Sequence, residues 1–171
     1  MKNKTFLMAT LAVTISVLVG AKAQAGTPDP DEVVKGLYAE QKAGTGPFFQ
    51  TKRRAVVDKY FEKDFANLIW NDAVKADGEV GALDFDPLFG SQDPEISDFE
   101  IMSTGWGGDE KFGADDKAVV QVTFKDGGKK KMISFQFQQG KNKQWKISDI
   151  RYPNLDNLLL KELFLRARAG N

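Results

Sequence analysis

The spacing of apolar residues changes period once along this chain, and that change decides the fold class. Between Thr51 and Ala76 the positions Val56, Val57, Tyr60, Phe61, Phe65, Leu68, Ile69 and Ala73 follow the period of an amphipathic helix, about 3.6 residues. From Phe99 onward the period is two. Phe99 and Ile101 alternate with Asp98 and Glu100, Val120, Val122 and Phe124 with Gln121 and Thr123, and Ile133, Phe135 and Phe137 with Ser134 and Gln136. Such alternation is that of half-buried antiparallel strands. Helices followed by strands, in a chain of 171 residues, make one α+β domain.

Turn chemistry fixes the connections. "KDGGK" at Lys125 to Lys129 and "GKNK" at Gly140 to Lys143 are tight turns, so the last three of four strands form a meander. On the helical side, "DPDE" places Asp29 as a cap, Pro30 in the first turn and Glu32 three residues on, which starts a helix at Pro30. "AGTGP" at Ala43 to Pro47 ends that helix. The long periodic stretch reads as two consecutive helices jointed at Glu62 to Asp64, with Asp64 able to cap the second. The fold expected is N-terminal helices packed on a curved four-stranded antiparallel sheet, followed by a C-terminal leucine-rich helix.

The first 25 residues stand outside that fold. Lys2 and Lys4 precede an apolar run from Phe6 to Val19, and Ala23-Gln24-Ala25 supplies the small-x-small site of a signal peptidase. The run is too short for a membrane anchor. Cleavage between Ala25 and Gly26 would leave a linker at 26–29, the domain at 30–152 and the leucine-rich segment at 153–171, in the periplasm. Without cysteine, an exported chain is held by its core alone.

Losing Lys2, Lys4 and Lys22 takes the net charge from zero to −3, which argues against a nucleic-acid partner. Charge is nevertheless segregated. Asp72 to Glu100 carries nine acids against Lys75, and Lys125 to Lys146 carries seven lysines against Asp126. The meander splits those lysines between opposite ends of the sheet, where they discourage edge pairing.

The absence of histidine and cysteine removes nucleophilic triads, thiol chemistry and most zinc sites, and no sequence feature implies a cofactor. Carboxylates remain. In "LDFDPLFGSQD", positions 83–93, the oxygen-bearing residues Asp84, Asp86, Gln92 and Asp93 are threaded between Leu83, Phe85, Leu88 and Phe89. Either the apolar members plug the open end of the core while the aspartates bond nearby amides around Pro87 and Gly90, or Asp84, Asp86 and Asp93 bind calcium. The spacing does not match an EF-hand. In "QWKISDIRY" the two-residue period puts Asp149 on the face of Trp145 and Ile147, pointing inward unless a bulge intervenes. There it either satisfies a turn or an ion pair, or acts as a buried base.

The segment "GEVGALDFDPLFGSQD" from Gly78, the "ISDFEI" strand from Ile96 and the closing "WKISDI" from Trp145 together resemble a family of small exported bacterial proteins, domain of unknown function 3828, over about residues 30–152. The resemblance implies a nuclear transport factor 2-like cone, a bent sheet with helices closing one side around a pocket. That family brings no assigned activity. Isomerases and dehydratases of the cone-shaped superfamily often place an aspartate inside the pocket as general base, which is the alternative role for Asp149.

Leu155, Leu158, Leu159, Leu160, Leu163, Phe164 and Leu165 fall within eleven residues, more than one packing face of a helix uses. Either the tail is tucked into its own core, or Leu158, Leu160 and Leu165 form a homodimer seam. The reading as a whole is an exported binding domain for a small ligand or a protein partner, with a metal-independent acid/base enzyme using Asp149 as the alternative.

Overall fold

A computed structural model describes residues 27–106 and 116–170. The expected signal peptide at 1–25 lies outside the described residues. Helix α1 (Pro30–Lys42) begins where the "DPDE" signal puts it, with Asp29 in the N-cap position and Pro30 in the first turn, although the Asp29 side chain makes no capping bond. Helices α2 (Arg54–Tyr60) and α3 (Lys63–Ala76) are the two halves of the long periodic stretch. Their joint is where expected. The N-cap of α3, however, is Glu62, two residues before Asp64, and its carboxylate accepts from the Asp64 N–H at 3.4 Å.

The strands β1 (Ile96–Trp106), β2 (Lys117–Asp126), β3 (Lys129–Gln139) and β4 (Trp145–Tyr152) form the expected antiparallel meander, and a fifth, β5 (Leu158–Leu159), adds to its end in the order β1-β2-β3-β4-β5. Chain direction and register put Val120 opposite Phe135, Phe135 opposite Ile150 and Val122 opposite Ile133, so one face of the sheet is continuously apolar. Helices α1, α2 and the terminal helix α4 (Leu160–Ala169) all contact the sheet. Between the layers lie Val34, Leu37, Val57, Phe61, Phe65, Ile147 and Phe164, all buried. Phe61 packs edge-on against Phe65, with ring centres 5.1 Å apart, and Phe65 meets Phe164 at 6.5 Å.

The outer edge of β4 is occupied along both halves. Phe61 bridges Ile147 in parallel and the Glu62 N–H donates to the Ile147 carbonyl at 2.9 Å, while β5 pairs with Arg151 and Tyr152. Beside the first half, Lys146 Nζ donates to the carbonyls of Asp58 at 2.8 Å and Lys59 at 2.6 Å, a cation on the C-terminal turn of α2.

The leucine-rich tail departs from the expected helix at 153–171. Turns occupy the residues after Tyr152, Leu158 and Leu159 join the sheet, and the helix starts only at Leu160. Asp156 and Asn157 both adopt positive φ, 51° and 58°, and break the helical path before it can begin. The leucine density therefore belongs to three local structures. Leu160 and Phe164 are in the core, Leu158 and Leu163 pack partly against it, and Leu165 is 53% exposed. Leu158, Leu160 and Leu165 do not share one surface.

Candidate functional site

The stretch 83–93 is built around Asp86. Its Oδ1 accepts the Leu88 N–H at 2.8 Å, its carbonyl accepts from Phe89 at 3.1 Å and Gly90 at 2.8 Å, and its own N–H donates to the Ser91 carbonyl at 2.9 Å. That is an Asx-type turn, with Pro87 at the corner and Gly90 at φ 61°. Leu83 and Leu88 are buried, and Phe85 and Phe89 lie half-buried on the core. Phe85 stands edge-on to Tyr152 at 5.5 Å, and Phe89 meets Tyr38 at 5.6 Å and Phe124 at 5.5 Å. Two phenols fasten the turn from beneath: Tyr38 Oη donates to the Leu88 carbonyl at 2.7 Å, and Tyr152 Oη to the Pro87 carbonyl at 2.8 Å.

Asp84, Gln92 and Asp93 are exposed. Among the described residues no group of three or more acids, histidines or cysteines is gathered as a metal shell, and the Asp86 carboxylate is engaged by its own loop. Burial pushes its pKa above the usual carboxylate value, with the Leu88 N–H opposing. The aspartates that the calcium reading needs are therefore not brought together.

Asp149 is displaced by a bulge. Gln136 pairs with Asp149 but Phe137 with Ile147, so Ser148 is an extra residue and the two-residue alternation slips. Ile150 and Tyr152 take the core positions in the second half of β4, and Asp149 leaves the face of Trp145 and Ile147. At 8% exposure its Oδ1 accepts the N–H of Ile150 at 2.8 Å and that of Lys161, in the first turn of α4, at 3.1 Å. The α4 N-cap residue, Leu159, has no side-chain oxygen to offer, so Asp149 serves the helix from another element. Burial raises its pKa and those two amides oppose the rise. Neither Asp149 nor Trp145 lines either of the cavities described below.

Where the resemblance implies a pocket inside the cone, the interior between sheet and helices is filled by Phe61, Phe65, Phe135, Phe137 and Tyr152. Near Gly90 and Tyr152 there is a void of about 10 Å³, room for roughly one water. The large cavity, about 940 Å³, lies outside, between the last turns of α3, the segment 79–82 and the C-terminal half of α4. Helical spacing puts Leu68, Asp72, Lys75 and Ala76 along its α3 wall; Phe164, Ala167 and Arg168 form the α4 wall.

The third wall depends on the end of α3. Asp77 takes a left-handed conformation, φ 45°, and Gly78 follows at φ 93°, which turns the chain back along the helix it has just left. The Ala82 N–H then donates to Asp72 Oδ1 at 2.9 Å, and Gly81 passes so close that a Cβ there would stand 2.5 Å from an Asp72 oxygen. Leu68 and Phe164 make an apolar floor, Val80 stands 76% exposed at the lip, and Asp72, Lys75, Glu79 and Arg168 make a rim of mixed charge.

None of the candidate site residues read from the sequence, Asp84, Asp86, Gln92, Asp93, Trp145 and Asp149, lines this groove. Two signals could have found it. Val80 is a lone apolar residue between Glu79 and Gly81, and the last turns of α3 mix Asn71, Asp72 and Lys75 with the small Ala73 and Ala76, leaving a shallow helix face.

No protein-family model and no curated protein matches the chain. A solved structure, that of the phospholipid-binding protein from Ralstonia solanacearum in complex with a phospholipid, is 15% identical to it, with 80% of this chain and 72% of that chain covered and a TM-score of 0.31. At that level of superposition the likeness transfers neither architecture nor ligand to this chain.

Proposed function

We propose that this chain is an exported binding domain that holds a small amphipathic ligand in the groove between α3 and α4. The observation that carries the reading is the groove itself. A volume of about 940 Å³ is of the size that takes small molecules, roughly 300–1,000 Å³, and an apolar floor of Leu68 and Phe164 under a charged rim suits a molecule with an apolar body and polar ends. In this reading residues 1–25 are a cleaved export signal, the protein works in the periplasm, and its kinship is with the exported family that its 78–93 and 145–150 segments resemble. Binding fits the carboxylates better than catalysis does, because Asp149, the residue the acid/base alternative needs, spends Oδ1 on two backbone amides away from the groove.

The test fills the groove. Ala76 is half-buried on the α3 wall, and Ala76→Trp would occupy the space without touching the core. Native mass spectrometry of the gently purified protein, backed by titration with a naphthalene sulfonate dye, should show a ligand or saturable dye binding in the wild type. Both should be lost in the variant at an unchanged melting temperature. Equal occupancy in the two proteins, or none in the wild type by either method, refutes the reading.

A further inference from the structure

The loop between α1 and α2 is built in a way that neither the core nor the groove requires. Phe48 is buried against Phe61, ring centres 5.4 Å apart, whereas the next residue, Phe49, is 57% exposed and holds φ at 61°. A bulky residue in left-handed backbone is strained, and such strain persists only where surrounding bonds over-determine it. Those bonds are present. Thr45 Oγ1 donates to the Glu40 carbonyl at 3.2 Å, Gln50 Nε2 to the Gly46 carbonyl at 3.2 Å, and an Arg53 guanidinium nitrogen to the Thr45 carbonyl at 3.5 Å. Gly46 is pressed onto the end of α1, where a Cβ would lie 2.7 Å from the Cα of Gln41. Phe49 is thus the apolar tip of a closed loop.

The charge around it is one-sided. Between Glu40 and Asp58 there is no acidic residue, in a chain with as many acids as bases. The two flanking acids are already neutralised, Glu40 by Lys59 and Asp58 by Arg54. Lys42, Lys52 and Arg53 are exposed and enter no ion pair among the described residues.

We propose that the loop Thr45–Arg53 is a reversible contact for an anionic lipid surface, with Phe49 entering the headgroup boundary and Lys42, Lys52 and Arg53 facing lipid phosphates. A single apolar tip is far short of the ~1,000 Å² that a specific protein interface buries, but a lipid surface asks for no matching shape. The contact is independent of the groove and weak enough to be reversible, unlike an anchor.

The soluble protein isolated after expression of the full chain is centrifuged with vesicles of phosphatidylcholine, or of phosphatidylcholine and phosphatidylglycerol at about 3:1. It should partition onto the anionic vesicles alone, and less at high salt. Each basic side chain near such a surface raises partitioning roughly fivefold, so Lys52→Glu with Arg53→Glu should lower it by more than tenfold. Phe49→Gly should raise the melting temperature by relieving the strained φ while lowering the partitioning, a pair of effects that misfolding cannot produce. Ala76→Trp should bind vesicles like the wild type, which separates this contact from lipid held in the groove. No binding to anionic vesicles, equal binding to neutral ones, or loop variants that partition like the wild type would overturn the proposal.

Discussion

Tyr152→Phe removes one oxygen atom and leaves a buried carbonyl, that of Pro87, without its donor. The ring stays, and with it the edge-on contact to Phe85 at 5.5 Å, so the change isolates the hydroxyl. An unsatisfied buried acceptor costs about 1–3 kcal/mol. In a chain of 171 residues that is a fall in melting temperature of about 2–4 °C per kcal/mol. Tyr38→Phe should cost a similar amount through the Leu88 carbonyl, and because the two carbonyls belong to one turn, the double variant should fall short of the sum by about 0.5 kcal/mol or more. Tyr60→Phe is the control. Its hydroxyl lies beside the Lys59–Glu40 ion pair and fastens no backbone carbonyl of the turn, so losing it should cost less than either of these changes.

Urea unfolding followed by tryptophan fluorescence, with Trp145 only 7% exposed as a core reporter, should give these differences at a constant m-value. Alkaline pH adds a second arm. Burial holds the pKa of both Tyr38 and Tyr152 well above the ordinary 10.0, so their contribution is present below that pH and is lost as pH rises through the folded values. The double phenylalanine variant should lose less stability than the wild type above pH 10. If Tyr152→Phe is as mild as Tyr60→Phe, the phenols do not fasten the turn and the argument fails.

Leu160→Ala should cost about 2–5 kcal/mol because Leu160 is wholly buried, while Leu165→Ala should stay within about 0.5 kcal/mol and leave the sedimentation coefficient unchanged; dissociation of a dimer by Leu165→Ala would restore the seam reading. Asp86 has its folded pKa raised by burial above 3.8, so its stabilising contribution is present at acid pH and lost as pH rises through the raised value. Asp86→Asn keeps an acceptor for the Leu88 N–H and should lose less stability than the wild type between acid and neutral pH; parallel melting curves would contradict this. Millimolar calcium or EDTA should leave the melting temperature unmoved, and a calcium-dependent rise abolished by Asp84→Asn with Asp86→Asn would make the loop a cation site. Intact-mass measurement on exported protein should find Gly26 first, and a chain retaining residues 1–25 refutes the signal.

Periodicity and turn chemistry made the layers legible because they act over a few residues. Val120, Val122 and Phe124 with the "KDGGK" turn specify a hairpin wherever they occur, and β2 and β3 follow them residue by residue. Asp149 was illegible because the bulge at Ser148 is decided by the pairing of Asp149 with Gln136 and by its bond from the amide of Lys161, neither adjacent in sequence. The groove was hidden for the same reason. Its walls are roughly 90 residues apart in the chain and meet only when α4 settles beside α3. The leucine count misled because β5 consumes two residues that helical spacing would claim, after a break set by Asp156 and Asn157.

The cation of Lys146 on the carbonyls of Asp58 and Lys59 also bears on the order of folding. Across 88 and 87 residues, respectively, a late strand completes the end of an early helix, and the Glu62–Ile147 bond beside it does the same for the joint. Short of that strand, α2 is a seven-residue helix held mainly to α3, and helices below about 12–15 residues are marginal by themselves. A ribosome that has released only the first hundred residues has therefore released a chain with no finished unit. Folding must wait for β4. A truncation before Trp145 should therefore leave an unfolded polypeptide rather than a smaller domain.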